Sequence, residues 1–276
     1  MFRQVTEYRA CKVLYNFIMS NHMSGMVALP ANICPDVLKV VELAGLLPVF
    51  VDINSITLCI DRQELLEVIN DVRMVLYVHT YGIESDESDF FRELHELNSK
   101  VVIVDDRCLC LYEPITDSEA DLILYSTGDK KVVEMGMGGI GLIGDCWNYE
   151  QLEGSVGFLK DFSWVLNTDE YAKKKFETLE HKKRLNKIYS ENLPVGIQLS
   201  AGFQQWRFNI LVEDKEQTLR EIFNNNLFAS GHYKPLVGGC VNSEYLYNHV
   251  INLFNDMYYS EEKALKTCAI IDMLSN

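Results

Sequence analysis

The chain has 276 residues, 48% of them hydrophobic and 24% charged, a composition that can fill a sizeable core and excludes a disordered polymer. Its formal net charge of −15 opposes binding to nucleic acid and to anionic membrane surfaces, so we expect neither as a partner. No apolar run approaches the ~18 residues of a membrane span, and the first residues lack the apolar segment of a signal peptide. Eight cysteines without a CxxC pair predict reduced, buried thiols, a cytoplasmic location and no metal site.

The first half of the chain alternates between helix and strand patterns. In chain order the sequence predicts a helix over 9–19, a strand over 25–30, a helix over 35–44, a strand over 48–52, a helix over 62–69, a strand over 74–79, a helix over 86–98, and strands over 101–105 and 122–125. This alternation predicts an α/β fold with a mainly parallel sheet.

The second half has a different pattern. It predicts a long charged helix over 170–192, a strand over 206–212, and helices over 215–224, 245–254 and 261–274. We therefore expect a large domain over 1–160 and a smaller α+β domain over 161–276.

Polar residues stand at the ends of several predicted strands. They are His79, Asp105, Asp106 and Ser126. Ligands of parallel α/β sheets lie at the carboxyl ends of the strands, so we expect these side chains to converge on a site.

The segment 125–139 joins two apolar runs and contains Ser126, Lys131 five residues later, and the pair Gly138-Gly139. A lysine held between strands but beside flexible backbone is typical of a residue that forms a Schiff base with a cofactor. The alternative is a solvated pair of lysines, Lys130 and Lys131, on a surface loop. A third interpretation, a dinucleotide site at the glycines, lacks the acidic residue that such a site requires further along the chain.

Asp106 follows a buried strand upstream of this loop. An acid in that position can keep the pyridine nitrogen of pyridoxal phosphate (PLP) protonated. The alternative is a carboxylate that caps a helix or stabilises a loop.

Several passages in order resemble the DegT/DnrJ/StrS family of PLP-dependent sugar aminotransferases, as a shortened and divergent member. The passages that carry the resemblance are 29–32, 44–52 (AGLLPVFVD), 57–61 (TLCID), 78–82 (VHTYG), 102–106, the lysine loop with its glycine pair, 232–236 (HYKPL) and 252–262.

The resemblance implies a PLP-dependent transferase fold and a role for each matching residue. Lys131, rather than Lys130, would form the Schiff base and Asp106 would face the pyridine nitrogen. Ser126 would hold the phosphate together with a helix opening near residues 6–10. The remaining residues that the resemblance assigns are Thr6 and Tyr8 for the cofactor, and His232 and Tyr233 for the substrate. For His232, a surface position beside a proline turn is an equal alternative.

The resemblance also implies transfer of an amino group from glutamate to a nucleotide-linked keto-sugar in the synthesis of a surface polysaccharide or related glycan, by a homodimer. Three departures stand against this. The residue that stacks on the cofactor ring is Cys34 or Ile33 instead of an aromatic, Leu109 replaces a glutamine or histidine, and only Asn167 remains of a segment that reaches the partner subunit. They support the alternative of a family member with weak cofactor binding, altered chemistry or a regulatory role.

Overall fold

The computed structural model describes residues 1–275, which form two β-sheets flanked by helices. The larger sheet has seven strands in the order β1-β7-β6-β5-β4-β2-β3. Its strands are β1 (Phe2–Glu7), β2 (Met26–Pro30), β3 (Leu47–Val51), β4 (Val72–Val78), β5 (Val102–Asp106), β6 (Leu122–Ser126) and β7 (Gly139–Gly144). Strands β3, β2, β4, β5 and β6 run parallel, whereas β7 is antiparallel to β6 and to β1. The predicted α/β class with a mainly parallel sheet is confirmed.

Four helices cover the two faces of this sheet, and they are α1 (Ala10–Ser20), α2 (Pro35–Leu43), α3 (Arg62–Val68) and α4 (Ser88–Leu97). One face packs against α1 and α2 and the other against α3 and α4. Successive strand residues point to opposite faces, so Met74 and Leu76 join the first layer while Val75 and Tyr77 join the second. Both faces are therefore apolar, which is why these strands are continuous hydrophobic runs.

The N-terminus differs from its prediction. The helix predicted over 9–19 is present as α1, but the sequence predicted no strand for residues 2–7, which form β1. Antiparallel pairing to β7 places Thr6 opposite Ile140. Because β1 is an edge strand, Arg3 and Gln4 can point to water, which hides the strand from a search for apolar alternation.

The smaller sheet contains β8 (Phe208–Leu211), β9 (Ala229–Ser230) and β10 (Val250–Leu253) in the order β8-β10-β9. It packs with α5 (Thr168–Asn192), α6 (Lys215–Asn224), α7 (Val241–His249) and α8 (Glu261–Ser275). The helix predicted over 245–254 is wrong in its second half, since α7 ends at His249 and the next four residues are the central strand of this sheet. Antiparallel partners on both sides outweigh the local helical pattern.

The two sheets meet through a buried polar contact and a small apolar cluster. The carboxylate of Asp52, at the end of β3, accepts hydrogen bonds from the backbone N–H groups of Asn242 and Ser243 and from the Ser243 hydroxyl, at 2.6–2.9 Å. A side chain of the larger sheet thereby caps α7. Beside it, Tyr81 and Phe203 join the apolar cluster between the sheets. The division into domains 1–160 and 161–276 remains a prediction.

Candidate cofactor site

A cavity of about 360 Å³ opens at the carboxyl ends of β5 and β6. It is bounded by the first residues of α1 and α2 and by the loop between β6 and β7. Of the sequence-predicted residues, the structure brings together Lys131, Asp106, Ser126 and Tyr8 in its lining. This volume lies in the range of ordinary small-molecule sites.

The two lysines of the loop have different surroundings. Lys131 is half-buried and lines the cavity, whereas Lys130 is exposed and lies outside the lining. Lys130 also has a positive φ of 61°, a conformation that is uncommon for residues other than glycine. Its own backbone therefore turns the chain at this point, and the next side chain faces the cavity.

Asp106 is the last residue of β5 and is 7% exposed. Its Oδ1 accepts the backbone N–H of Cys108 at 2.9 Å, which turns the chain away after the strand. A buried carboxylate beside the amine of Lys131 gives the cavity an acceptor and a nucleophile from separate elements.

The neighbouring Asp105 serves another purpose. It is fully buried, with Oδ1 2.7 Å from Nε2 of His79 and Oδ2 accepting Nε–H of Arg107 at 2.7 Å. Burial alone would raise the pKa of Asp105, but His79 and Arg107 outweigh it and hold the pKa below its usual range. Adjacent strand residues point to opposite faces of the sheet. The four polar side chains expected at one site therefore form two pairs: Asp106 and Ser126 line the cavity, whereas His79 and Asp105 contact each other elsewhere.

The N-terminus of α1 lies beside Ser126. A Cβ on Gly139 would be 2.1 Å from the backbone nitrogen of Ala10, so only glycine lets β7 start this close to the helix. The N–H of Gly138 also donates to the carbonyl of Tyr8 at 2.8 Å. The first N–H groups of a helix lack intrahelical partners, and an anion bound there would also be near the Ser126 hydroxyl.

Tyr8 and Thr6, both predicted to contact the cofactor near the start of α1, have different positions in the structure. Tyr8 lines the cavity, and its hydroxyl accepts the backbone N–H of Lys160. Thr6 does not reach the lining, because it lies in β1 and its hydroxyl donates to the carbonyl of Trp164 at 3.2 Å. The resemblance assigned the cofactor contacts here to Thr6 and Tyr8, and it did not single out Arg9, Ala10 and Cys11, which do line the cavity.

The residues expected to meet the substrate lie outside the cavity lining. His232 packs edge-on against Tyr81, with ring centroids 5.2 Å apart. Desolvation and the nearby charge of Lys215 lower the pKa of His232 to about 4, so its imidazole is neutral at pH 7. Tyr233 is 47% exposed and approaches Cys34 at the rim of the cavity.

The structure also shows where the residues lie that depart from the family pattern. Cys34 precedes α2 and lines the cavity together with Cys11 and Cys108. Burial raises the pKa of Cys11 to about 12 and also raises that of Cys108, so these two thiols are neutral. Leu109 lies outside the lining, and Asn167 accepts the N–H of Glu170 as the N-cap of α5.

The donor set of the cavity fits PLP. It combines an amine, a buried carboxylate, and a hydroxyl next to a helix N-terminus, which suit an aldehyde, a pyridine nitrogen and a phosphate. A second cavity of about 510 Å³ lies elsewhere and is lined by acidic side chains with Arg92 and Arg107, and by no lysine. Within residues 1–275, no group of three or more His, Cys, Asp or Glu side chains is arranged to hold a metal ion. No helix in that part of the chain is long and apolar enough to cross a bilayer.

The sequence of residues 23–141 matches the model of the DegT/DnrJ/EryC1/StrS aminotransferase family. No curated protein matches the chain. Among solved structures, a DegT DnrJ EryC1 StrS aminotransferase from Brucella abortus is 17% identical with a TM-score of 0.75, over 99% of this chain and 86% of that one. DesV of S. venezuelae is 16% identical with a TM-score of 0.76, over 99% and 85% of the two chains.

NtdA of Bacillus subtilis, solved with its bound cofactor PMP, is 18% identical with a TM-score of 0.74, over 98% of this chain and 73% of that one. At these identities the structural matches establish the fold. They and the family match confirm the resemblance found in the sequence, and the predicted aminotransferase class and PLP cofactor agree with them. Residues 23–141 of this chain are thus similar in sequence to the DegT/DnrJ/EryC1/StrS aminotransferase family, and the chain has the fold of solved aminotransferases over 99% of its length.

Proposed function

We propose that this protein is a PLP-dependent aminotransferase that acts on a nucleotide-linked keto-sugar with glutamate as amino donor. The observation that carries the proposal is the meeting of Lys131, Asp106, Ser126 and the start of α1 around one cavity. These groups come from three separate parts of the chain: the end of β5, the end of β6 with the loop that follows it, and the start of α1. The alternative interpretation, a surface loop with two solvated lysines, does not explain why Asp106 and the N-terminus of α1 face the same cavity as Lys131.

PLP, when bound, supplies an electron sink that stabilises negative charge on the carbon next to the transferred nitrogen. Lys131 would hold the cofactor covalently through Nζ, and the same amine, once released, would move the proton between carbon atoms. Asp106 would keep the pyridine nitrogen protonated. Ser126 and the first N–H groups of α1 would bind the phosphate.

Anionic substrates need local positive charge here, because the net charge of −15 repels them at long range. Arg9 and Lys131 are the cations of the cavity lining. Arg9 is half-exposed and forms only a loose ion pair with Asp36, at 3.7 Å. It would therefore be able to contact a phosphate or carboxylate at the mouth of the cavity.

The remaining parts of the proposal rest on the family resemblance. They are a role in polysaccharide or related glycan synthesis, a cytoplasmic location and a homodimer. One feature supports the homodimer: Phe162 and Met137, at the cavity, are 58% and 45% exposed. A second subunit over the mouth would bury them.

Absorbance of the purified protein with added PLP tests the cofactor and its attachment. We expect a visible band that borohydride traps as a stable adduct on Lys131. Lys131→Ala should abolish the band and the adduct, and the matched variant Lys130→Ala should retain both. A band of unchanged intensity in Lys131→Ala would refute the assignment.

A second candidate function is a family member that binds the cofactor without transferring an amino group. The specific observation behind it is that Asn167, the one asparagine of its segment, is used to cap α5. Incubation of the PLP form with glutamate discriminates the two. An aminotransferase converts the cofactor to its amine form and releases 2-oxoglutarate, whereas the second candidate leaves the visible band unchanged.

A further inference from the structure

The peptide unit between Lys130 and Lys131 is held at both ends. Its carbonyl, on Lys130, accepts Nε1–H of Trp206 at 2.6 Å. Its N–H, on Lys131, donates to the carbonyl of Gly128 at 3.3 Å. The plane of this peptide sets the direction in which the Lys131 side chain leaves the backbone.

Trp206 lies in the bend just before β8 of the smaller sheet and is itself well fixed. Its ring is parallel to that of Tyr81 within 2°, with centroids 6.1 Å apart, and its own carbonyl accepts Nζ–H of the buried Lys182 at 2.7 Å. The guanidinium of Arg207 lies 5.4 Å from the same ring. The ring contacts and the bond to the backbone carbonyl together fix the position from which the indole N–H donates.

The loop needs such a restraint, because Lys130 has a left-handed φ of 61°, which costs a non-glycine residue of order 1 kcal/mol. The carboxylate of Glu134 holds the N–H of Lys130 at 2.9 Å, and the Tyr258 hydroxyl donates to the same carboxylate at 3.1 Å. The Trp206 indole differs from these two side chains because it bonds directly to the peptide between Lys130 and Lys131.

We propose that Trp206 is a positioning residue, which fixes the Lys130–Lys131 peptide and so aims the amine of Lys131 into the cavity. The proposal rests on the proposed function insofar as that amine holds the cofactor. The orientation of the peptide is a property of the protein alone and can be measured without any cofactor. Without the indole N–H, the loop can relax the left-handed turn and the amine loses its fixed direction.

Trp206→Phe tests this, because phenylalanine keeps an aromatic ring against Tyr81 but carries no N–H donor. In the cofactor-free protein, amide hydrogen exchange of peptides within 128–135 should become about tenfold faster, as expected for the loss of one hydrogen bond. Trypsin should also cleave faster after Lys130. Covalent attachment of added PLP should slow by a similar factor, while the urea midpoint stays close to that of the parent.

Trp147→Phe is the matched control, since it also removes an indole N–H bond, to Asp121 at 2.7 Å. It should leave loop exchange and PLP attachment unchanged. If Trp206→Phe leaves both at the parent rate, the positioning role is refuted. If loop exchange accelerates but the parent protein never attaches PLP, the proposed function fails and the restraint on the peptide stands.

Discussion

Replacing Asp52 with alanine should destabilise the protein more than the loss of an ordinary helix cap. The carboxylate is 6% exposed and receives four hydrogen bonds, from the N–H groups of Ile53, Asn242 and Ser243 and from the Ser243 hydroxyl. Losing a helix N-cap costs ~1 kcal/mol. Leaving buried donors without an acceptor adds ~1–3 kcal/mol, and Ser243 is fully buried. We therefore expect a loss of about 3 kcal/mol in the free energy of unfolding.

Urea denaturation followed by circular dichroism measures this loss. Asp61→Ala is the matched control, because Asp61 caps α3 through the N–H groups of Gln63 and Glu64 without joining the two sheets. It should cost about 1 kcal/mol. Amide exchange in α7 should rise in Asp52→Ala before global unfolding and stay at the parent rate in Asp61→Ala. Equal losses in the two variants, with α7 exchange unchanged, would refute the reasoning.

Two further predictions concern Gly139, beside the start of α1, and the buried ion pair of Asp105 with Arg107. Gly139→Ala should destabilise the protein by about 2 kcal/mol or more, because the new methyl group meets the backbone of Ala10 at 2.1 Å. The control Gly196→Ala, which has open space around its Cβ, should be nearly neutral. Equal urea midpoints for the two variants would contradict this prediction. Arg107→Met should raise the pKa of Asp105, which is held below its usual range. The stability that ionised Asp105 contributes is present above the pKa of this group in the unfolded chain, and it is lost as the pH falls through its pKa in the folded protein. Because the variant has the higher folded pKa, its acid-unfolding midpoint should move to higher pH. A midpoint that stays in place or falls would count against the role of Arg107.

The larger sheet could be predicted from the sequence to a great extent. Buried parallel strands are unbroken apolar runs, and each helix between them has its own polar and apolar faces, so the signals are local. The same locality makes Asp106 and Ser126 recognisable as residues at strand ends. The resemblance to the family favoured Lys131 over Lys130, through its distances to the serine and to the glycine pair.

The elements that the sequence missed depend on distant partners. Strand β1 is an edge strand with polar outward residues, and its pairing with β7 brings together parts of the chain more than 130 residues apart. Strand β10 continues a helical pattern and becomes a strand because β8 and β9 lie on both sides of it. Local propensity cannot register either partner.

The sequence by itself determined the α/β class and the resemblance to the aminotransferase family, and it singled out Lys131, Asp106 and Ser126 as candidate cofactor residues. Only the tertiary structure decided that these groups share one cavity while His79 and Asp105 pair apart from them. It also decided that residues 2–7 form β1 and that Trp206, just before β8, reaches the lysine loop. The physical reason is that strand order, side-chain direction and long-range hydrogen bonds are set by packing between segments far apart in the chain.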